Sequence, residues 1–355
     1  MEMTLRWFGE DFDSVSLKNI RQIPGVTGIV STLYDTKPGE VWPLERIRNL
    51  KKTIEASGLR LAGIESVNIH DAIKAGLPER DKYIENYIKT LENLGEAGID
   101  MICYNFMPVF DWTRSDLAKV LPDGSTVLSY DQALIDKINP DSIADQMNKK
   151  AQGFELPGWE PERMAQIKEL FAIYETVTEE QLFDNLVYFL NKIMPTCEKY
   201  GIRMAIHPDD PAWPVFGLPR IINSEANITK LLEAVPNPLN GITFCTGSLG
   251  SNPENDLIST IYAVKGRIHF AHLRNIKYHG YQKFDEASHL SSDGSLDMVA
   301  IIKALRDSGF DSIIRPDHGR QIWDEISMPG YGLYDRALGV AYMNGIWETL
   351  EKVSN

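Results

Sequence analysis

Short apolar runs alternate with longer amphipathic segments along this chain of 355 residues. Most of the runs are continuous and rich in β-branched or aromatic residues, which is typical of strands buried on both faces of a sheet. Eight strands are predicted in this way: LRWFG (5–9), TGIVSTL (27–33), RLAGIES (60–66), MICYNF (101–106), RMAIHP (203–208), GITFCTG (241–247), RIHFAHL (267–273) and SIIRPDH (312–318).

Helices are predicted between the strands, in the segments 16–23, 44–58, 80–98, 179–201, 224–235, 255–266, 296–309 and 335–353. In segment 80–98 one stripe of apolar residues recurs at helical spacing and should face the core. Its members are Ile84, Ile88, Leu91 and Leu94. Several segments end in a glycine directly before the next strand, as helices commonly do: Gly58, Gly98, Gly201 and Gly309.

This alternation predicts an α/β protein with the architecture of a (β/α)₈ TIM barrel. We expect a single domain over 1–355, with one insertion after strand 4, because residues 107–180 are too many for an ordinary loop. The insertion is expected to be largely helical (140–153 and 161–175), with turns at 122–124 and 157–158. Since it follows the C-terminal end of a strand, it should lie over the catalytic rim or contact a second subunit.

Composition narrows the class of function. The formal net charge of −14 argues against nucleic-acid or anionic-membrane partners, which need clustered lysine and arginine. Three cysteines (Cys103, Cys197 and Cys245) are too few for a disulfide framework, so a cytoplasmic protein is expected. The start, MEMTLRWFGEDF, lacks the features of a signal peptide, and the sequence contains no apolar run of bilayer-spanning length.

Four predicted strands end in a side chain that can bind a metal: His207, Cys245, His272 and Asp317. In a parallel barrel the C-terminal ends of neighbouring strands converge, so these side chains should meet. Two imidazoles, a thiolate and a carboxylate can bind one divalent transition metal. A lone histidine or cysteine in an apolar strand is more often a core residue, and Cys103 and Cys197 are interpreted so. Four such residues at equivalent strand ends favour a metal site.

A structural metal is the alternative, but closed zinc sites normally use local ligand pairs and not four separate strands. Successive side chains of a strand point to opposite faces, so His272 is expected to face the barrel axis and His269 to pack outward. By the same alternation, Arg274 and Arg315 point toward the site. They suit a carboxylate-bearing substrate, or equally a salt bridge to Asp209, Asp210 or another acid at the rim.

Two further side chains are candidates for acid–base chemistry. His318 directly follows Asp317, and an imidazole beside a metal can move a proton near neutral pH. The turn Pro329-Gly330-Tyr331-Gly332 could bring the phenol of Tyr331 over the site, with Tyr334 further along the same loop. The alternatives are a histidine that only binds a rim carboxylate and tyrosines without a chemical role.

These residues lie in motifs that together resemble the mannonate dehydratase family of hexuronate catabolism, whose barrel is related to that of xylose isomerases. The resemblance runs through nearly the whole chain, in RWFG, GEVWPLERI, ESVNIHDAIK, YNFMPVFDWTRSDL, AIHPDDP, FCTGSLG, HFAHLRNI, RPDHG and PGYG. It implies dehydration of D-mannonate to 2-dehydro-3-deoxy-D-gluconate, with one Mn²⁺ or Fe²⁺ per subunit. It assigns the metal to His207, Cys245, His272 and Asp317, and acid–base roles to His318 and Tyr331.

Several points stay open at this level. Arg274, Asn275, Arg315 and Tyr334 are expected to contact the substrate, and the apolar, aromatic insertion suggests a homodimer. A thiolate ligand would by itself suggest zinc or ferrous iron over Mn²⁺. A metal-dependent sugar isomerase, a dehydratase of another sugar acid and a non-catalytic sugar-acid binding protein remain alternatives. The sequence does not say which of His318 and Tyr331 is the base, nor which epimers are accepted.

Overall fold

The protein is built around a closed barrel of eight parallel strands. The structure is a computed structural model that describes residues 1–138, 151, 153–154 and 166–353. In chain order the barrel strands are β1 (Glu2–Arg6), β2 (Val26–Ser31), β3 (Arg60–Glu65), β4 (Met101–Tyr104), β7 (Arg203–Ile206), β8 (Asn240–Cys245), β9 (Ile268–His272) and β12 (Ile313–Arg315). The eight predicted strands and the TIM-barrel fold are therefore confirmed. Most strands are slightly shorter than the apolar runs suggest, and β1 begins three residues before the predicted 5–9.

Burial on both faces explains why these strands read as continuous apolar runs. The barrel interior is filled by one cluster of side chains from different strands: Val30, Ala62, Met101, Cys103, Ala205, Phe270 and Ile313. The outer faces pack against the helices in a much larger cluster, which includes Ile64, Ile206 and Ile314. Cys103 and Cys197 are buried in these two clusters, as expected for small apolar residues.

The long helices between the barrel strands were all predicted. The short helices of four residues, Asp71–Lys74, Gln132–Ile135 and Thr246–Leu249, were not. Together the helices span Leu17–Arg21, Leu44–Ala56, Asp71–Lys74, Arg80–Glu96, Gln132–Ile135, Ile167–Tyr174, Glu179–Tyr200, Glu225–Ala234, Thr246–Leu249, Leu257–Ala263, Met298–Asp307 and Leu333–Val353. The helix Glu179–Tyr200 begins with a capping box, in which Thr178 and Gln181 satisfy each other's backbone N–H groups. It ends at Gly201, whose φ of 69° is left-handed and favours glycine.

A second sheet beside the barrel was not predicted. It is antiparallel and has four strands. Two of its strands, β5 (Asp116–Val120) and β6 (Thr126–Asp131), belong to the insertion after β4. The other two, β10 (Asn275–Gly280) and β11 (Lys283–Ala287), form a hairpin after barrel strand β9.

The expectation of a largely helical insertion therefore needs correction for its first part, which is a β-hairpin around the predicted turn at 122–124. These strands are short and mix polar with apolar residues, and β6 pairs with β11 of the neighbouring hairpin. The helix Ile167–Tyr174 confirms part of the prediction for 161–175. The helix expected over 140–153 and the turn at 157–158 lie outside the described residues, except for Ala151 and Gly153. Within the described part of the chain, no helix is both long and apolar enough to cross a membrane.

Candidate active site and metal centre

The strand register brings the predicted metal ligands together at one end of the barrel. Cys245 on β8 pairs with His272 on β9, and His272 pairs in turn with Arg315 on β12. His207 follows the last residue of β7, and Asp317 lies two residues beyond β12. The ligands therefore come from four adjacent strands, because the barrel order runs β12-β9-β8-β7.

The distances among these side chains suit a single ion. Ligand atoms of His207, Cys245 and His272 lie within 4.8 Å of one another. Asp317 completes the group, with Oδ2 3.7 Å from the Cys245 Sγ and Oδ1 3.6 Å from the His272 Nδ1. Asp317 has a φ of 59°, uncommon outside glycine but tolerated by aspartate, and at this turn its carboxylate contacts the strand ends.

Nearby charges hold Cys245 and Asp317 in the ionised forms that can bind a metal. Burial alone would raise the pKa of Cys245, but Arg274 and the adjacent imidazoles of His207 and His272 bring it well below the ordinary thiol value. Burial would also raise the pKa of Asp317, yet the adjacent cations lower it strongly. A thiolate and a carboxylate therefore coexist in a buried site, which is the condition for metal ligation.

Two buried arginines contact Asp317 from opposite sides. The Arg315 Nη2 lies 2.8 Å from Oδ1 of this carboxylate, and the Arg274 Nε lies 3.0 Å from Oδ2. Arg315 also pairs with Glu65 at 3.0 Å, and Arg274 with Asp210 at 2.6 Å. Both arginines thus point toward the site, as strand alternation predicts, and both form the salt bridges to rim acids that were the alternative.

His318 and Tyr331 are hydrogen-bonded to each other beside the metal ligands. The His318 Nε2 lies 3.2 Å from the Tyr331 hydroxyl, and the two ring centroids are 4.9 Å apart. The close contact depends on Gly330, where a Cβ atom would lie 2.9 Å from Leu128 and 3.3 Å from the His318 ring. Burial raises the pKa of Tyr331, so its hydroxyl keeps its proton at neutral pH.

The other nitrogen of His318 is held by Glu286, a residue of the second sheet. The Nδ1 atom lies 2.9 and 3.0 Å from the two carboxylate oxygens of Glu286. The same carboxylate accepts hydrogen bonds from Arg114, at 2.8 Å, and from Arg274. Burial would raise the pKa of Glu286, but His318 and the two arginines lower it to about 2. Glu286 is therefore ionised at neutral pH.

A cleft of about 790 Å³, including its open mouth, lies over these residues. Its size suits a small polar substrate. The residues that line its floor include Arg6, Glu65, His207, Arg315, Asp317, His318 and Tyr331. The insertion after β4 contributes Asp111 and Trp112 to the walls, so part of this segment does reach the rim.

The four residues expected to contact substrate are not all brought together. Arg315 lines the cleft, whereas Arg274 lies behind the lining residues. Asn275 is fully buried and its side-chain amide binds backbone groups of Ile276, Leu290 and Leu296. Tyr334 is half-exposed beside Trp323, with ring centroids 5.6 Å apart. In this structure neither Asn275 nor Tyr334 lines the cleft.

Sequence reasoning missed several charged residues of the site. Glu65 ends β3, so the strand-end argument used for β7 to β12 would have found it. Arg6 ends β1, but the predicted strand 5–9 placed it near the start of a strand. Glu65 accepts a hydrogen bond from Arg6 at 3.2 Å and lies 3.5 Å from the His272 Nε2. Glu286 lies in the unpredicted hairpin β10–β11, and Arg114 lies two residues before β5. Neither stands at the end of a predicted barrel strand.

Comparison with known proteins gives a consistent result over the full length. A family model described as D-mannonate dehydratase (UxuA) matches residues 1–355. The chain is 65% identical to the mannonate dehydratase of Brachyspira hyodysenteriae, over 99% of each chain, and 54% identical to that of Thermotoga maritima, again over 99% of each.

Solved structures agree with the sequence comparisons. The crystal structure of mannonate dehydratase from Streptococcus suis serotype 2 has a TM-score of 0.91 at 43% identity, covering 100% of this chain and 96% of that one. A xylose isomerase domain protein from Planctomyces limnophilus has a TM-score of 0.55 at 11% identity, covering 99% of this chain and 97% of that one. At that identity the second likeness concerns the barrel fold alone.

Proposed function

The chain belongs to the D-mannonate dehydratase (UxuA) family of hydro-lyases, and we propose that it dehydrates D-mannonate to 2-dehydro-3-deoxy-D-gluconate in the cleft over His318 and Tyr331. The family assignment rests on a match over the whole chain. The observation that carries the choice of site is the contact of 3.2 Å between the His318 Nε2 and the Tyr331 hydroxyl, beside three clustered metal-binding side chains and the neighbouring Asp317 carboxylate.

A divalent metal fits the group formed by His207, Cys245, His272 and Asp317. Three of these residues offer ligand atoms within 4.8 Å of one another. The buried His272 Nδ1 has no hydrogen-bond partner among the described residues, although it lies 3.6 Å from the Asp317 carboxylate. A buried nitrogen without a partner is costly, and a bound cation would remove that cost.

The His207 ring is oriented for the same purpose. Its Nδ1 lies 2.7 Å from the Pro208 carbonyl oxygen, which accepts a hydrogen bond from the Nδ1–H group, so that the Nε2 lone pair is available to a metal. We propose Mn²⁺ or Fe²⁺ as the metal; the thiolate of Cys245 favours Fe²⁺ on grounds of softness. When bound, a divalent cation neutralises the substrate carboxylate and stabilises the charge that develops when C2 loses its proton.

His318 and Tyr331 can carry the two proton transfers of the reaction. One group removes the proton from C2, the C2–H electron pair becomes the C2=C3 double bond, and the C3–O bond breaks. The other group protonates the departing hydroxyl, which leaves as water, and the enol product becomes the 2-keto acid. After the reaction, the group that took the C2 proton can pass it to the group that protonated the hydroxyl, through the hydrogen bond between His318 and Tyr331. Both side chains then return to their starting states.

The charged floor of the cleft can hold a sugar acid in place. The buried Arg315 Nη1 has no hydrogen-bond partner within the described part of the chain, and Arg315 lines the cleft beside Asp317. A guanidinium in this position suits a carboxylate. The contacts proposed for Arg274 would be indirect, through Asp317 and His318. Contacts of Asn275 and Tyr334 with substrate would require a rearrangement of their loops.

Turnover of D-mannonate by metal-stripped protein, with and without added Mn²⁺ or Fe²⁺, tests the proposal. We expect a 2-keto-3-deoxy acid only when metal is present. The absence of product with either metal would contradict the assignment. Conversion of a neutral aldose under the same conditions would instead point to an isomerase.

We also propose that the chain is a single domain whose segment 107–180 covers the rim, and that it forms a homodimer in the cytoplasm. Trp112 at the cleft supports the covering role, and the buried, unpaired cysteines suit a reducing compartment. The edge strand β5 carries an exposed Val120 and could contact a second copy. A sedimenting mass of twice 40.1 kDa would support the dimer, and a monomer would contradict it.

A further inference from the structure

Glu286 contacts His318 from outside the barrel. It lies on β11 (Lys283–Ala287), in the second sheet, and only 4% of its surface is exposed. Both of its carboxylate oxygens lie within hydrogen-bond distance of the His318 Nδ1, at 2.9 and 3.0 Å. The opposite ring nitrogen, Nε2, faces the hydroxyl of Tyr331. Glu286, His318 and Tyr331 therefore form one continuous hydrogen-bonded chain that ends in the cleft.

The chemistry of these groups determines where the proton of a neutral His318 ring lies. An ionised carboxylate can only accept hydrogen bonds, so the Nδ1 atom must donate to Glu286. The Arg274 Nη1 lies 3.1 Å from the same nitrogen and can only donate, but it already donates to Glu286. Both carboxylate oxygens of Glu286 lie closer to Nδ1 than the Arg274 Nη1 does, so the hydrogen bond from Nδ1 to Glu286 prevails. With the proton on Nδ1, the Nε2 atom carries a lone pair that can accept from Tyr331.

We propose that Glu286 is a positioning residue that keeps the proton of His318 on Nδ1, so that Nε2 is the proton acceptor of the dehydration. This inference rests on the proposed function and adds a direction to it. His318 removes the C2 proton through Nε2, and Tyr331 donates its hydroxyl proton to the departing C3 hydroxyl. A carboxylate that orients a histidine in this way typically changes activity by about 10–100-fold when it is removed.

Glu286 also has a structural role, which the test must distinguish from its effect on the His318 proton. It neutralises two buried guanidinium groups, those of Arg114 and Arg274. Asp210 contacts the same two arginines, at 2.9 Å to Arg114 and 2.6 Å to Arg274. No hydrogen bond between Asp210 and His318 is found among the described residues. Asp210→Asn is therefore a matched control for the loss of one negative charge at this pair of arginines.

The variant Glu286→Gln should reverse the hydrogen bond to His318. The oxygen nearest to both arginines, Oε1, is the position that an amide carbonyl would take, because guanidinium groups repel an NH₂ group. The amide NH₂ would then occupy the Oε2 position, 3.0 Å from Nδ1, and would donate to it. Only the carbonyl at Oε1, 2.9 Å away and shared with both arginines, would remain as an acceptor for Nδ1. We expect the ring proton to shift toward Nε2. Two-bond ¹H–¹⁵N correlations of the Zn²⁺-loaded protein would detect this change, because they distinguish protonated from unprotonated ring nitrogens.

Kinetics provide the second readout. For Glu286→Gln we expect kcat to fall by about 10–100-fold with KM within roughly threefold of wild type, because the transition state loses its proton acceptor while the ground-state contacts remain. The isotope effect with D-mannonate deuterated at C2 should increase. Asp210→Asn should lower the Tm comparably, keep the proton on Nδ1 and leave the isotope effect unchanged.

Each outcome decides the proposal. Equal effects of the two variants on kcat, isotope effect and ring tautomer would reduce Glu286 to a structural counter-ion and overturn it. If Glu286→Gln does not fold, Glu286→Asp keeps the charge while withdrawing from His318, and it should show the same kinetic loss. Failure of the wild-type protein to dehydrate D-mannonate would contradict the proposed function, whereas the NMR measurement tests the role of Glu286 without turnover.

Discussion

Individual side chains in this cleft owe their chemical state to charged neighbours. Burial alone would neutralise Asp317, Cys245 and Glu286, because desolvation disfavours the charged form. Charged neighbours lower the pKa of all three instead: His318 contributes most at Asp317 and Glu286, and Arg274 contributes most at Cys245. Removing a catalytic side chain while preserving this charge balance is therefore the cleanest test at the residue scale.

The first prediction concerns His318→Asn. Asparagine can accept from Tyr331 or donate to Glu286, but it cannot take a proton from carbon. We expect kcat for D-mannonate to fall by about 100-fold or more, the usual contribution of a positioned acid or base. Metal content, measured by elemental analysis, should match that of the wild type. Turnover within a few-fold of wild type would show that His318 has no acid–base role.

The second prediction concerns His269, which packs on the opposite face of β9 from His272. Its Nδ1 lies 3.0 Å from the Met204 carbonyl oxygen, and burial lowers its pKa to about 4. In the unfolded chain His269 binds a proton as the pH falls through 6.5, whereas in the folded chain it stays neutral until about pH 4. Stability should therefore be complete above pH 6.5 and decrease as the pH falls toward 4, by up to about 3 kcal/mol.

Urea unfolding at pH 7 and pH 4.5 measures this loss. His269→Gln keeps a neutral hydrogen-bond donor and should lose less stability between the two pH values than wild type. Replacement of the more exposed His279 serves as the control. An identical pH dependence of wild type and His269→Gln would show that another group dominates the acid response.

Among the structural elements, the second sheet links the insertion to the active site. β11 pairs with β6 of the insertion and with β10 that leaves the barrel. Phe284 on β11 is buried, and its ring stacks on Tyr130 of β6 with centroids 5.7 Å apart. Since Glu286 lies two residues further along the same strand, packing of this sheet affects the geometry of His318.

The third prediction therefore concerns Phe284→Ala. Loss of a buried phenylalanine should cost about 3–5 kcal/mol of unfolding free energy, and kcat should fall although the residue is outside the cleft. Tyr281→Ala, at the exposed turn of the same hairpin, should change stability by no more than about 0.5 kcal/mol. Thermal unfolding and turnover of both variants provide the measurements. Unchanged turnover in a folded Phe284→Ala protein would show that packing of the second sheet does not affect the active site.

For the whole molecule, the metal is expected to connect four strands of the barrel. A ligand that binds only the folded state stabilises it by mass action. The fourth prediction is that Mn²⁺ at about a hundredfold excess over its Kd adds about 2.7 kcal/mol to the stability of metal-stripped protein. For a chain of 355 residues this corresponds to an increase of Tm by roughly 4 °C.

Cys245→Ala should remove this increase, whereas Cys197→Ala, a buried cysteine on the helix Glu179–Tyr200, should retain it. Differential scanning calorimetry with and without Mn²⁺ gives the comparison. An equal increase in both variants would place the metal elsewhere in the molecule.

The sequence alone determined the barrel and predicted four candidate metal ligands that the structure brings together. Continuous apolar runs separated by amphipathic helices allow few other topologies, and parallel strands bring their C-terminal ends together. For this reason His207, Cys245, His272 and Asp317 could be recognised from their positions at strand ends, without any measured distance.

Only the tertiary structure decided what surrounds them. Glu286 reaches His318 from a hairpin whose strands are short and partly polar, so its pairing with the insertion leaves no periodic signal in the sequence. Asn275 and Tyr334 lie near site motifs along the chain, yet in this structure one binds backbone groups and the other is half-exposed. Strand-end position follows from local pattern and topology, whereas contacts between distant segments depend on how the whole chain packs.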